Sequence, residues 1–373
     1  MKQPEVIIIG GGLAGLTAAI NLANSGLKVR LYEKENFPHH KVCGEYLSRE
    51  VIPYLNSLGV YLKQEGAINI SRLLFTDQYG NATNTNLPLG GLGISRFILD
   101  DVLYKRALEV GVQVVTERVI AVNFHKDQFT VSTGDTSATT ELVLGAYGKR
   151  SLLDKNLNRD FISRNSSWLA VKGHYKNDLF PVDTVALHNF EGGYCGLSKT
   201  ENGAVNVCYL ATYKSFKKYK NPEDFKTEVL CKNPHLAHFF KNASPIFSRD
   251  LTIAQISFEK KSRVEDHIIM LGDAAGLIHP LCGNGMAMAI HSAKLVSESI
   301  LKNYNSGKFD RKAIERAYLK QWDQNLRSRL RTGHILQQVL LNTHMSRLSQ
   351  NIIKLFPSLL PFIIKNTHGK PLL

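Results

Sequence analysis

Acidic residues are scarce in this sequence of 373 residues: 32 Asp and Glu stand against 46 Lys and Arg, a formal net charge of +14. That excess favours an anionic partner: a phosphorylated cofactor, anionic lipid headgroups at a membrane surface, an acidic carrier protein or nucleic acid. No nucleic-acid-binding module is recognisable, which sets the last aside. Cysteine is sparse as well, at five residues (43, 195, 208, 231 and 282), odd in number and without C-x-x-C spacing. This excludes a disulfide framework and points to reduced thiols in a cytosolic protein. No His or carboxylate pair near the motifs below shows ligand spacing, so no metal is expected. Long apolar runs are missing: none reaches the roughly 18 residues of a spanning helix, and a cytoplasmic protein, soluble or peripheral at the membrane, is expected. The N-terminal strand belongs to the fold, which argues against a cleavable signal.

What is present starts with Glu5-Val6-Ile7-Ile8-Ile9-Gly10-Gly11-Gly12-Leu13-Ala14-Gly15, a helical run Leu16 to Asn24, and a second apolar run, Leu27 to Tyr32, ending in Glu33. This is a βαβ unit with a dinucleotide fingerprint. Gly10 allows the tight turn, Gly12 lets backbone approach a pyrophosphate at the helix N-terminus, and Gly15 lets helix and sheet pack closely. Glu33 stands where a carboxylate accepts hydrogen bonds from a ribose. A helix with apolar three-and-four spacing follows Ser95, and Asp100 is expected to serve its start. From Ser166 to Phe258 the pattern is antiparallel strand. A basic helix of about thirty residues is expected from Asp310, with seven basic residues between Arg311 and Arg331. An apolar tail runs from Ile352 to Ile364, expected to pack on the protein's own sheet, with a lid or a shallow membrane contact as alternatives.

A second constellation is Gly272-Asp273-Ala274-Ala275-Gly276, followed by Pro280, Gly283, Gly285 and Met286 at the opening of another helix. A strand ending in Gly-Asp sets a carboxylate at its tip, and the Gly-x-Gly opens a helix whose free N–H groups can face an electron-rich ring. The loop Phe37-Pro38-His39-His40-Lys41-Val42-Cys43-Gly44-Glu45 and the pair Ser95-Arg96 complete the set.

With these residues in order, the chain resembles the flavoprotein superfamily of FAD-dependent aromatic hydroxylases and geranylgeranyl reductases, the reductase branch best. The resemblance implies an α/β architecture. A discontinuous Rossmann-like FAD-binding domain would take 1–75, 95–160 and 262–305. An inserted antiparallel β-sheet substrate domain would take 76–94 and 161–261, and a C-terminal helical segment 306–373. It implies FAD contacts from Gly10, Gly12, Leu13, Ala14, Gly15, Glu33, Lys34, Lys41, Cys43, Gly44, Arg96, Val119, Ala146, Tyr147, Gly272, Asp273, Pro280, Gly283, Gly285 and Met286. Cys43, Glu45 (where the family has Gly) and Tyr194 become the candidate catalytic residues, Glu45 as a proton donor.

Two departures limit what carries over. The family's middle motif, roughly G-A-D-G-x-x-S-x-x-R, reads Gly145-Ala146-Tyr147-Gly148-Lys149-Arg150-Ser151-Leu152-Leu153-Asp154, with Tyr for Asp and Asp for the final Arg. The substrate-sheet motif Y-x-W-x-F-P keeps only Tyr194, with Gly196 for its Trp. With no second dinucleotide fingerprint, the reductant, NAD(P)H or a reduced protein, is expected to visit transiently. The implied function is FAD-dependent oxidoreduction of a hydrophobic small molecule, reduction of a C=C bond in an isoprenoid or polyketide-like substrate. Monooxygenation of a phenol or alkene is the alternative, and a flavin-binding redox sensor or carrier a third reading.

Overall fold

A computed structural model describes residues 5–164, 166–219, 221–279, 282–305, 307–341 and 359–373. The apolar run Val6–Ile9 is buried along its whole length, as a strand covered on both faces must be. It lies inside a six-stranded sheet of order Val264–Glu265, Ile268–Met270, Leu142–Gly145, Val6–Ile9, Val29–Tyr32, Gln113–Val115. All pairings are parallel except that of the edge strand Val264–Glu265. Three helices, Leu13–Asn24, Arg96–Glu109 and Gly285–Lys302, pack together beside it. The glycine turn leaves the C-terminal end of Val6–Ile9 between its two neighbours, with Gly10 N donating to Tyr32 O (2.8 Å) and Ala146 N to Ile9 O (2.7 Å). That position, where connections diverge to either side, is where open α/β sheets bind ligands.

A second sheet has nine strands, ordered Ser244–Pro245, Trp168–Lys176, Val205–Thr212, Gly193–Lys199, Thr184–Phe190, Ile68–Thr76, Ala82–Gly93, Tyr46–Ser48, with Leu251–Ala254 also on Trp168–Lys176. Its pairings are antiparallel except Thr184–Phe190 with Ile68–Thr76. The expected boundaries need correction here. Tyr46–Ser48 and Ile68–Thr76, assigned by sequence to the nucleotide half, hydrogen-bond in this sheet. The chain therefore crosses to the second sheet before residue 75.

The basic C-terminal stretch is two helices, Arg311–Asn325 and Arg327–Leu341, separated at Leu326, rather than one. Of the apolar tail, 352–358 lies outside the described residues. The remainder begins the helix Leu359–Thr367, whose Leu360 and Ile364 pack against Leu73 and Phe75 of the large sheet. Each such side chain buried contributes about 1.5–3 kcal/mol. Downstream of it, Gly369 N donates to the Glu50 carboxylate and Leu372 N donates to Glu50 O (2.7 Å), while Arg329 of the helix Arg327–Leu341 pairs with Glu50 at 3.0 Å.

Candidate active site

The glycine turn is fixed by what a side chain would strike. Gly10 has φ +108°, and a Cβ on it would sit 2.4 Å from Ala146 O; on Gly15 it would sit 1.9 Å from Gly10 O. Gly12 differs: its nearest neighbour would be the Arg96 guanidinium at 3.9 Å, so its backbone faces open space. Gly12 also caps the helix Leu13–Asn24 with no side-chain bond, leaving the first N–H groups free for an anion. The Glu33 carboxylate accepts from Gly11 N (2.7 Å), Lys34 N (2.8 Å) and Glu35 N (3.2 Å), which anchors it at the turn with acceptor capacity to spare.

Opposite, the Gly272–Ala274 turn is held from behind by two buried cations. Lys261 Nζ donates to Asp273 O and Lys149 O, both at 2.8 Å. Arg159 pairs with Asp154 (2.8 Å) and donates to Ala274 O (2.9 Å) and Ser262 O (2.8 Å). Burial pulls the Lys261 ammonium down to about 8. The helix Gly285–Lys302 starts at Asn284 without a side-chain cap bond, again with free N–H groups. His279 packs among Trp168, Tyr194 and Phe258, and burial lowers its pKa to about 3, so it is neutral.

Between these elements lies a cavity of about 1430 Å³. Pockets for one drug-sized ligand occupy roughly 300–1,000 Å³, so this one has room for a cofactor and a second molecule. Gly10, Gly12, Leu13, Ala14, Glu33, Lys34, Lys41, Cys43, Gly44, Arg96, Val119, Ala146, Tyr147, Gly272, Asp273, Gly283, Gly285 and Met286 all line it, as do Glu45 and Tyr194. Gly15 is placed behind the turn by its packing role, and Pro280 lies outside the described residues. The sequence did not announce the cavity's apolar arm, where Leu73, Phe75, Val185 and Leu187 of the sheet face Leu360 and Ile363 of the C-terminal helix. The open backbone at Gly12, the free helix starts and the Asp273 and Glu33 carboxylates fit an adenine dinucleotide with a flavin ring.

Two ion clusters fix the cavity wall. Asp100 is wholly buried and accepts from Arg96 Nε and Nη2 (2.7 and 2.8 Å), with Lys41 at 2.9 Å. The expectation that it serves the helix start is thereby corrected, because Ser95 Oγ does that by accepting from Ile98 N (3.2 Å). Burial opposes ionisation of Asp100, but the Arg96 and Lys41 charges outweigh it and hold the carboxyl below the usual range.

Glu45 is the centre of the second cluster. It has φ +54°, a backbone that favours glycine, and its carboxylate accepts from Arg96 N (2.7 Å), Lys172 Nζ (2.5 Å) and His174 Nε2 (2.7 Å). Burial opposes its ionisation, yet the His174 hydrogen bond and the Lys172 charge keep it below the usual glutamate range. It is an ionised anchor, and the expected proton donor does not fit that state. His40 lines the cavity beside it, kept neutral with its pKa lowered to about 4 by burial and then by Lys172. His40, Glu45 and His174 bring potential metal ligands within 4.8 Å of one another, which the sequence spacing had not offered. The Lys172 ammonium already balances the Glu45 charge there, so the cluster is neutralised without an ion. Lys172 and His174 are two polar residues at alternate positions in a buried strand, and that alternation was the available signal for them.

Tyr194 is buried, and burial raises its pKa well above the ordinary value, so the phenol keeps its proton. Tyr147 O–H donates to Met270 Sδ at 3.2 Å. Gly196 leaves space: a Cβ there would reach only Leu187 at 3.5 Å and Cys208 O at 3.7 Å.

The family model for the FAD binding domain matches residues 3–311. A digeranylgeranylglycerophospholipid reductase of Methanococcus vannielii is 22% identical over 388 residues, covering 96% of this chain and 97% of that protein. A menaquinone reductase of Mycobacterium tuberculosis is 23% identical over 315 residues, covering 79% of this chain and 76% of that protein. Among solved structures, the flavin-dependent brominase Bmp2 has a TM-score of 0.80 at 20% identity, covering 98% of this chain and 93% of that one, a likeness of fold.

Proposed function

The chain belongs to the FAD-binding domain family and is an FAD-dependent oxidoreductase; from that premise we propose that it reduces a carbon–carbon double bond in a long hydrophobic substrate of isoprenoid or polyketide kind. The observation that carries this reading is the apolar arm of the cavity, walled by Leu73, Phe75, Val185 and Leu187 on one side and Leu360 and Ile363 on the other. Two of the proteins it is similar to are a menaquinone reductase and a digeranylgeranylglycerophospholipid reductase.

Bound FAD supplies the two-electron exchange with the substrate. The helix Leu13–Asn24 would hold its pyrophosphate through free N–H groups, Glu33 its ribose, and Asp273 a sugar-alcohol hydroxyl. The start of Gly285–Lys302 would face the ring. Tyr194 keeps a proton on its phenol and so orients a polar group by donating to it. Leu360 and Ile363 exclude water from the arm.

The test reduces the FAD-loaded protein with dithionite under anaerobic conditions and adds a polyprenyl alcohol. Reoxidation of the flavin coupled to a product two hydrogens heavier supports the reading. No anaerobic reoxidation, with an atom of labelled oxygen gas entering the product in air, would move the assignment to monooxygenation. No turnover under either condition leaves a redox sensor or carrier.

A further inference from the structure

From Gln324 to Leu373 the sequence contains no Asp or Glu and seven Lys or Arg. The described part of this stretch forms the helices Arg327–Leu341 and Leu359–Thr367, which pack on each other. Leu336, Val339, Leu360 and Ile363 on these helices line the cavity. Two large apolar side chains on them are open to solvent, Ile335 at 60% and Phe362 at 63% exposure, with Arg331 and Lys365 exposed on the same helices. The charge is sorted differently from what the sequence suggested. Arg311 turns to Asp127 and Arg329 to the buried Glu50, so neither serves the surface. Arg331 and Lys365 have no acidic residue on either helix to offset them.

We propose that the solvent-exposed side of these two helices docks on an anionic bilayer, with Ile335 and Phe362 entering the headgroup region and Arg331 and Lys365 against the lipid charge. Two helices that carry no acidic residue and expose both basic and large apolar side chains match the two attractions that hold peripheral proteins to membranes. The same helices form the wall between that face and the apolar arm. A hydrophobic substrate dissolved in the bilayer is thereby brought to within one helix layer of the cavity. The docking face stands whether or not the reduction proposed above is the reaction.

Flotation of the FAD-loaded full chain with phosphatidylcholine vesicles, with and without phosphatidylglycerol, tests this. Binding is expected only with the anionic lipid and is lost at about 0.5 M salt, where screening acts within a few ångströms. Arg331→Glu with Lys365→Glu should lower the partition coefficient at least about 25-fold, about fivefold per basic residue. Ile335→Asp with Phe362→Asp should abolish binding, and both pairs should keep wild-type flavin content because neither lines the cavity. Absent binding, binding indifferent to lipid charge, or binding unchanged in both double variants overturns the proposal. A dimer in solution that Phe362→Asp dissociates also overturns it, by assigning the face to a second copy.

Discussion

Replacing Glu45 by Gln tests whether this residue is an ion-pair anchor. The variant keeps the shape and one acceptor oxygen for Arg96 N, but removes the charge facing Lys172, and both side chains are wholly buried. Removing one partner of such a pair leaves an uncompensated buried charge and costs about 3–5 kcal/mol. At about 2 °C per kcal/mol for a large chain, the melting temperature of the FAD-free protein should fall by about 6–10 °C. Adding Lys172→Met removes the stranded ammonium and should recover more than half of that loss. The effect has a pH signature. The folded Glu45 carboxyl lies below the ordinary value, so its contribution is complete above the unfolded pKa of about 4.3 and is lost as pH falls below it. The difference between wild type and Glu45→Gln should therefore be constant from about pH 5 to 7 and shrink below about pH 4. Differential scanning fluorimetry across that range reads both effects. A Glu45→Gln protein melting with the wild type at pH 7, or a double variant no more stable than the single, would refute the anchor.

Gly12→Val should fold as well as the FAD-free wild type and hold no flavin, because its side chain enters open cavity, while Gly15→Ala should fail to fold because its Cβ meets Gly10 O; a yellow Gly12→Val protein defeats this. Asp100→Ala should destabilise the FAD-free protein by about 3–5 kcal/mol by freeing Arg96 and Lys41, whereas Asp273→Ala should mainly weaken FAD retention. Chemical denaturation and flavin titration separate the two, and equal stability losses would count against the placement. Gly196→Trp should keep flavin but exclude polyprenyl ligands from the arm, read by quenching of flavin fluorescence; unchanged ligand binding would show that the arm does not pass residue 196.

The nucleotide half was legible because its constraints are local: Gly10, Gly12 and Gly15 lie within six residues, with Gly15 packed on Gly10, Gly10 on Ala146, and Gly12 open to the cavity. The second sheet was visible as strands, but its membership was not, since nothing in Ile68–Thr76 reveals a partner at Thr184–Phe190. Glu45 shows the same limit at the site. The sequence showed an acid in place of glycine, while its state depends on Lys172 and His174, 127 and 129 residues further on. The apolar arm was hidden for the same reason, as Leu360 meets Leu73 and Phe75 only through the fold.

The Asp154–Arg159 pair behind the Gly272–Ala274 turn bears on how this sequence can evolve. Asp154 occupies the place of the arginine in the family's middle motif, and its partner is 1% exposed. Placing arginine at 154 alone would press two guanidinium groups together in a dry interior. Changing Arg159 first would strand Asp154 and release the carbonyls of Ser262 and Ala274. Either single step crosses a valley of about 3–5 kcal/mol. A sequence carrying the pair is thus held away from an arginine at 154 by epistasis, and the two positions can be exchanged only together.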